Sequence, residues 1–213
     1  MQTMRRVLTA VIILWPGAAF AQAPKAATYI TDEEIKTVNS QPGIDRTIRV
    51  VDIGNEHLAV GMIHRGPSGG AGRGAAGGGG AGRAAAAPAE PCGEQASTPP
   101  TNGTPGGITH DSQTEGYLIV SGGGTLVTGG HIVNGRKSSA ESDVTKILNG
   151  PSCSGTIAGA DVVKRAVKTG DIIIIPAGVP HGWTDITDHV DYLSFRPSDH
   201  VLEAGYVHPS IKK

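Results

Sequence analysis

The sequence has few aromatic residues, few cysteines and no excess of either charge. Phe, Trp and Tyr make up 4% of the 213 residues, whereas glycine alone contributes 32. A chain this poor in large side chains builds a compact core smaller than its length suggests, so we expect one domain with appendages. The formal net charge is −1 at pH 7, which argues against the basic surface that nucleic-acid binding requires. We therefore predict no nucleic-acid partner.

Hydrophobic runs of membrane-spanning length are also absent from the sequence. A basic start precedes an apolar run over residues 7–15, which breaks at Pro16. A spanning helix needs about 20 apolar residues, whereas Ala19 and Ala21 have the spacing of a signal-peptidase site. We predict a signal peptide over residues 1–21, export to the periplasm or out of the cell, and no membrane partner after cleavage.

Cysteine occurs only at Cys92 and Cys153. Two cysteines this far apart cannot form a zinc finger. The oxidising compartment that export implies favours a disulfide, and both residues stand in sequence rich in Gly, Pro and Ser, where a bridge would tie loops together. Two separate thiols are the alternative, and we predict the Cys92–Cys153 disulfide.

The exported chain begins with a segment, residues 22–43, that contains a short helix. Thr31 and Glu34 have the spacing of a capping box, in which each side chain bonds the other residue's backbone N–H. Acidic residues at the helix start suit its positive end. Pro42 then ends the helix.

Residues 44–200 have the pattern of one all-β domain, followed by a tail over residues 201–213. Residues 66–91 interrupt it. Of these 26 residues, 19 are Gly or Ala and none is large and apolar, so we predict a flexible insertion within the domain. Many short strands with glycine-rich turns, one of them at Gly122–Gly124, favour a β-sandwich or barrel. The expected strands are 46–53, 57–64, 107–110, 115–121, 124–128, 143–148, 155–158, 161–167, 171–175 and 189–196.

The stretch "TGDIIIIPAGVPHGWTD" joins a strand to a rigid turn. The run Ile172–Ile175 predicts a strand buried on both faces. Pro176 ends the strand because it cannot donate to a ladder. Gly178 and Pro180 then shape a turn that holds His181 in a fixed position beside the core.

This stretch resembles the second motif of the cupins, G-x5-P-x-G-x2-H-x3-N. The matching residues are Gly170, Pro176, Gly178 and His181, and Asp185 stands where the motif has Asn. The resemblance implies a double-sheet jelly-roll barrel that holds a metal inside it through three His and one Glu.

The first cupin motif is matched in part by "ITHDSQTEGYLIVSGG". His110 and Glu115 stand where that motif has its second His and its Glu, and Ile108 stands at its first His. The resemblance therefore implies His110, Glu115 and His181 as metal ligands. Two His and one carboxylate suffice for Fe(II). We expect Fe(II) or Mn(II), with Zn(II) or Ni(II) as alternatives.

Four further residues are candidates for roles around this site. We expect Ile108, Tyr117 and Trp183 to line the pocket of a small-molecule ligand, and Asp185 to orient His181 from behind. His64, at the end of a predicted strand, is the best candidate for a replacement ligand, although an ordinary surface role is expected of it.

The resemblance and the signal peptide together imply an exported cupin that binds a divalent metal and a small organic molecule, with dioxygenation as the leading reaction. Because Ile108 replaces a ligand, two alternatives stay open. One is a metal-free module that binds a sugar or another small molecule, and the other is a metal-independent isomerase or epimerase. Cupins commonly pair through their sheets, so a homodimer is also implied.

Overall fold

The computed structural model describes residues 26–68 and 89–211. The predicted signal peptide and most of the Gly/Ala-rich insertion lie outside the described residues. No helix in the described ranges is long and apolar enough to cross a membrane. The elements are α1 (Asp32–Asn39), β1 (Asp45–Asp52), β2 (His57–Arg65), β3 (Pro91–Cys92), β4 (Thr104–His110), β5 (Glu115–Thr128), β6 (His131–Lys137), a π-helix (Val144–Leu148), β7 (Ser152–Ala158), β8 (Val163–Lys168), β9 (Ile172–Ile175), β10 (His181–Thr184) and β11 (Val190–Ser198).

Helix α1 has the predicted capping box. The Glu34 backbone N–H donates to Thr31 Oγ1, and the Thr31 backbone N–H donates to the Glu34 side chain, both at 3.2 Å. Its Val38 is buried and packs with Ile48 and Met62 of the neighbouring strands. The helix therefore covers the outer face of β1 and β2.

The strands form two sheets that share β5. In the first sheet, β1, β2, β11, β5 and β9 pair in that order, all antiparallel. In the second sheet, β5 pairs with β8 and β10, and β10 continues through β4, β7 and β6 to β3. The predicted all-β, double-sheet barrel with a short N-terminal helix is thus confirmed.

The predicted turn at Gly122–Gly124 is wrong, because β5 runs through these residues without a break. Up to Gly122 the strand pairs with β11, and from Gly123 it pairs with β8. Gly122 has φ 67°, and a Cβ there would lie 2.0 Å from the His189 carbonyl oxygen. The glycines therefore let one strand pass from the first sheet into the second.

Two further strand predictions differ from the structure. Residues 143–148 were expected as a strand, but 144–148 form a π-helix whose Ile147 carbonyl accepts a hydrogen bond from Thr47 Oγ1. Strand β6 was not predicted, because the sequence pair Asn134-Gly135 is typical of a turn between strands. In the structure this pair forms an irregularity within β6, with Asn134 at φ 51°.

The expected two-sided burial of Ile172–Ile175 is also wrong. Ile175 is 2% exposed and lies in the core, but Ile172 and Ile174 are each 73% exposed. Strand β9 pairs with β5 alone, so it lies at an edge of its sheet, and the exposure of its outward side chains shows that no described element covers them. The isoleucine run therefore has one buried face and one open face.

The predicted disulfide is present between Cys92 and Cys153, whose Cα atoms are 6.0 Å apart. It joins β3 to β7 at the far side of the second sheet. The buried Cys153 packs with Val127, Ile132 and Ile157. The bridge thus ties the chain that follows the insertion to the barrel.

Candidate metal centre

Three strand ends bring His110, Glu115 and His181 together. His110 is the last residue of β4, Glu115 is the first residue of β5, and a loop of four residues joins them. His181 is the first residue of β10 and pairs with Ile108 of β4. All three side chains are buried, so the barrel interior holds two imidazoles and a carboxylate.

The three side chains converge on one carboxylate oxygen. His181 Nε2 lies 3.0 Å from Glu115 Oε2, and His110 Nε2 lies 3.5 Å from the same oxygen. One ligand atom from each residue lies within 4.8 Å of the other two. Of the clusters of His, Cys, Asp and Glu among the described residues, this one has the spacing to hold a metal ion.

The turn before β10 fixes the orientation of His181. Its Nδ1 lies 3.0 Å from the Val179 carbonyl oxygen, which can only accept, so Nδ1 carries a proton. The Gly178 backbone N–H donates to the His110 carbonyl oxygen at 2.8 Å. This bond ties the turn to the end of β4, next to the other imidazole.

The orienting role expected of Asp185 is filled by the Val179 carbonyl. Asp185 is exposed, and its carboxylate accepts a hydrogen bond from Thr184 Oγ1 at 3.3 Å. Its backbone has φ 52°, a left-handed conformation that Asn and Asp tolerate better than most residues. The structure therefore explains Asp at this motif position by backbone conformation.

A buried arginine that sequence analysis missed contacts Glu115 from the opposite side. Arg196 Nε lies 2.7 Å from Glu115 Oε1, and Arg196 Nη2 lies 2.5 Å from Asp45 Oδ2. Arg196 is 1% exposed. The alternating burial of β11 places Tyr192, Ser194 and Arg196 on its inward face. A charged residue at an inward position of the strand was therefore the feature of the sequence that could have predicted this contact.

These contacts keep Glu115 ionised. Burial alone would raise the pKa of Glu115, but the charge of the Arg196 guanidinium holds it well below its usual range, and hydrogen bonds from His110 and His181, where these are protonated toward it, lower it further. Burial and the neighbouring Glu115 raise the pKa of Tyr117 well above its usual value. Tyr117 therefore stays protonated and donates its hydroxyl hydrogen to Glu115 Oε2.

A chamber of about 30 Å³ opens beside the three candidate ligands. Space of this size holds a water molecule or an ion. Its walls include the predicted pocket residues Ile108 and Tyr117. Trp183 is not among the described residues that line it, and instead packs on the Tyr192 ring with centroids 5.4 Å apart.

Other histidines of the described chain lie outside this cluster. His64 is half exposed, and its Nδ1 bonds Asp191 Oδ1 at 2.6 Å. It therefore does not take the place of the ligand that Ile108 replaces.

The chemistry of the three residues fits a divalent cation. In neutral His181 the proton lies on Nδ1, so the Nε2 lone pair faces a carboxylate oxygen at 3.0 Å. Two acceptors at this distance repel each other unless a proton or a cation lies between them. His110 Nε2 lies 3.5 Å from the same oxygen, and His110 Nδ1 is buried without a hydrogen-bond partner among the described residues. The Nε2 atoms of both imidazoles thus face the position that a metal ion would take.

Comparisons with known proteins found solved structures of low similarity to this chain. No family model matches the chain, and no curated protein matches it. Similar solved structures include an uncharacterized protein with a double-stranded β-helix domain from Klebsiella pneumoniae, with 14% identity, 83% of this chain and 94% of that chain covered, and a TM-score of 0.37. A cupin protein from Bacteroides fragilis has 13% identity, coverage of 73% and 78%, and a TM-score of 0.30.

A third similar structure is a recombinant oxalate oxidase in complex with glycolate, with 15% identity, coverage of 76% of this chain and 55% of that chain, and a TM-score of 0.33. At this level of similarity the solved structures assign no chemistry to this chain.

Proposed function

We propose that this protein binds a divalent metal ion through His110, Glu115 and His181, and acts with it on a small organic molecule inside the barrel. The support comes from the chemistry of the side chains. Two imidazoles and one carboxylate are the set that binds Fe(II) while leaving coordination positions open. Mn(II) is the second expected ion.

One observation carries this proposal: the His181 Nε2 atom faces the Glu115 carboxylate. The Val179 carbonyl oxygen accepts a hydrogen bond from Nδ1 of His181. The Nε2 atom of a neutral His181 therefore presents only a lone pair to Glu115. A cation between the two removes their repulsion and also gives His110 Nε2 a partner. No rearrangement of the backbone is needed, because the three atoms already converge.

Each surrounding residue has a defined task in this site. Arg196 holds Glu115 ionised and in place through Oε1, which leaves Oε2 directed toward the imidazoles. Tyr117 stays protonated and donates to Oε2. The bound metal would supply Lewis acidity or oxygen activation, and dioxygenation is the leading reaction that we propose for it.

A metal-free binding module is the second candidate, and Arg196 favours it. This guanidinium already gives Glu115 a cationic partner at 2.7 Å, and Ile108 fills the first His position with an apolar side chain. In this alternative a doubly protonated His181 donates to both Val179 and Glu115. The barrel would then bind a small molecule without metal chemistry.

Titration with Co(II), whose visible absorption depends on its ligands, separates the two candidates. We expect the exported protein to develop a Co(II) spectrum that saturates at one ion per chain, and His181→Ala and His110→Ala to lose it. His64→Ala is the matched control, because His64 is half exposed and bonded to Asp191, and it should keep the spectrum. A spectrum unchanged in His181→Ala would contradict the proposed site.

We also propose that the protein is exported and forms a homodimer. The Cys92–Cys153 disulfide supports export, because such bridges persist in oxidising compartments. Detection of the protein in the periplasmic or extracellular fraction, with a new N-terminus at residue 22, tests the first part. Light scattering at micromolar concentration tests the second, and a monomer mass would contradict it.

A further inference from the structure

The chamber beside the candidate ligands has a buried floor and a partly exposed mouth. Its floor is formed by the three candidate ligands, with Ile108, Tyr117 and Tyr192, all of them buried. Four partly exposed residues line the mouth: Ile44, Asp45, Arg65 and Asn149. A ligand that enters from this side therefore meets Arg65 before it reaches the floor.

Arg65 is held in position with most of its hydrogen-bonding capacity unused. Its Nε donates to the Tyr192 hydroxyl at 3.0 Å, which anchors the side chain on a buried ring of the floor. Within residues 26–68 and 89–211, no group accepts a hydrogen bond from its two terminal nitrogens. An arginine carries five N–H donors in a planar fork that matches the two oxygens of a carboxylate. Four of these donors therefore have no acceptor among the described residues, on a side chain that lines the chamber.

No carboxylate among the described residues forms an ion pair with Arg65, although the charge of Asp45 at the mouth acts on it. Asp45, the acidic residue at the mouth, bonds Arg196 at 2.5 Å, and Arg196 also bonds Glu115. The formal charges of the two carboxylates and the two guanidiniums around the chamber therefore sum to zero. A divalent cation at the floor would bring the total to +2, which favours an anionic ligand over a neutral one.

We propose that Arg65 is the anchor for a small carboxylate ligand, which binds with its carboxylate on the Arg65 fork beside the candidate metal centre. This inference rests on the proposed function, since it places the ligand in the same chamber. It adds the chemical class of the ligand. The chamber of about 30 Å³ has room for little beyond the ion, so a ligand held on Arg65 extends into the mouth, and we expect an acid with few non-hydrogen atoms, such as acetate.

Proton relaxation of acetate, measured with the exported protein loaded with Mn(II), tests the anchor. Bound Mn(II) broadens the methyl signal of any acetate in the chamber, so the readout is independent of catalytic activity. We expect Arg65→Gln to weaken acetate binding about tenfold or more, because it removes a charge-assisted hydrogen-bonding fork. Acetamide, the neutral isostere, should bind weakly to both proteins.

Two variants control for folding and for net charge. Arg65→Lys keeps the charge and loses the fork, so we expect intermediate acetate affinity if Arg65→Gln fails to fold. Arg165→Gln removes the same charge from an exposed position on β8 and should leave acetate binding unchanged. Equal acetate binding by wild type, Arg65→Gln and Arg65→Lys, or equal binding of acetate and acetamide, would overturn the proposal.

Metal analysis of each preparation separates this inference from the proposed function. A wild-type protein that holds Mn(II) but does not bind acetate overturns the role of Arg65 and leaves the metal site standing. A wild-type protein that holds no Mn(II) overturns the metal site. In that case saturation-transfer measurement on the metal-free protein decides the role of Arg65: acetate binding that Arg65→Gln removes supports it, and absence of binding overturns it.

Discussion

Two of the spaces between the described residues differ in both size and chemistry. The chamber beside His110, Glu115 and His181 measures about 30 Å³ and is surrounded by charged and aromatic side chains. A groove between β8 and β9 measures about 460 Å³ and is lined mainly by Ile, Leu and Val. The larger space would be the usual first choice for a ligand site. The convergent polar groups with shifted pKa values nevertheless lie in the smaller one, and such groups mark functional sites better than volume does.

The two regions also differ in how their side chains are held. Beside the chamber, Arg196 is fully buried and contacts the carboxylates of two residues that line it, Asp45 and Glu115, so each charge depends on the others. In the groove, Arg165 is exposed and has no hydrogen bond or ion pair within the described ranges. Substitutions in the chamber should therefore be costly, and comparable substitutions at the rim of the groove should be mild.

The largest expected effect comes from replacing the buried arginine. Arg196→Leu leaves the carboxylates of Asp45 and Glu115 buried without their cation, which should lower the free energy of unfolding by about 3–5 kcal/mol. Arg165→Leu makes the same change at the groove and should stay within about 0.5 kcal/mol of wild type. Urea unfolding monitored by circular dichroism measures both. Similar losses in the two variants would contradict the distinction between the regions.

The two faces of β9 provide the next comparison. Ile175 is buried and Ile174 is 73% exposed, so Ile175→Ala should cost about 2–4 kcal/mol of unfolding free energy through lost burial and a cavity. Ile174→Ala should cost less than about 0.5 kcal/mol in a monomer. A large loss for Ile174→Ala that depends on protein concentration would show that a second chain covers this face. A loss independent of concentration would mean that the face is buried within the chain.

A smaller effect is expected where the chamber departs from the cupin motif. Ile108 is buried, lines the chamber and pairs with His181 across the strands. Ile108→His places a third imidazole there, and we expect metal affinity to rise about tenfold or more because a ligand is added. Competition with a coloured chelator measures the affinity, with Ile108→Gln as the control for polarity. An unchanged affinity would mean that position 108 does not reach the ion.

The sequence predicted most of the fold and only part of the site, for identifiable physical reasons. Local signals such as the Thr31–Glu34 capping box act within a few residues, and they were read correctly. The exposure of Ile174 and the continuity of β5 through Gly122 depend on which strand is an edge and how two sheets share a strand. Pairing of distant strands decides both, and local sequence does not report it.

The same distinction explains the residues missed at the site. His110, Glu115 and His181 belong to motifs with fixed spacing. By contrast, Arg65 reaches the chamber from β2, and Arg196 contacts Glu115 from β11. Their contribution depends on long-range register, such as the pairing of Tyr192 with Ile63. An inward-facing arginine in an otherwise apolar or small register was the only local hint.

The most direct test of the central claim is the metal content of the protein purified after export without a histidine tag. We predict close to one Fe or Mn per chain by elemental analysis, and none in the variant with alanine at His110, Glu115 and His181. Circular dichroism of both proteins shows whether the variant keeps its β-structure. Wild-type protein that contains no metal and takes up neither Fe(II) nor Mn(II) on addition would contradict the account.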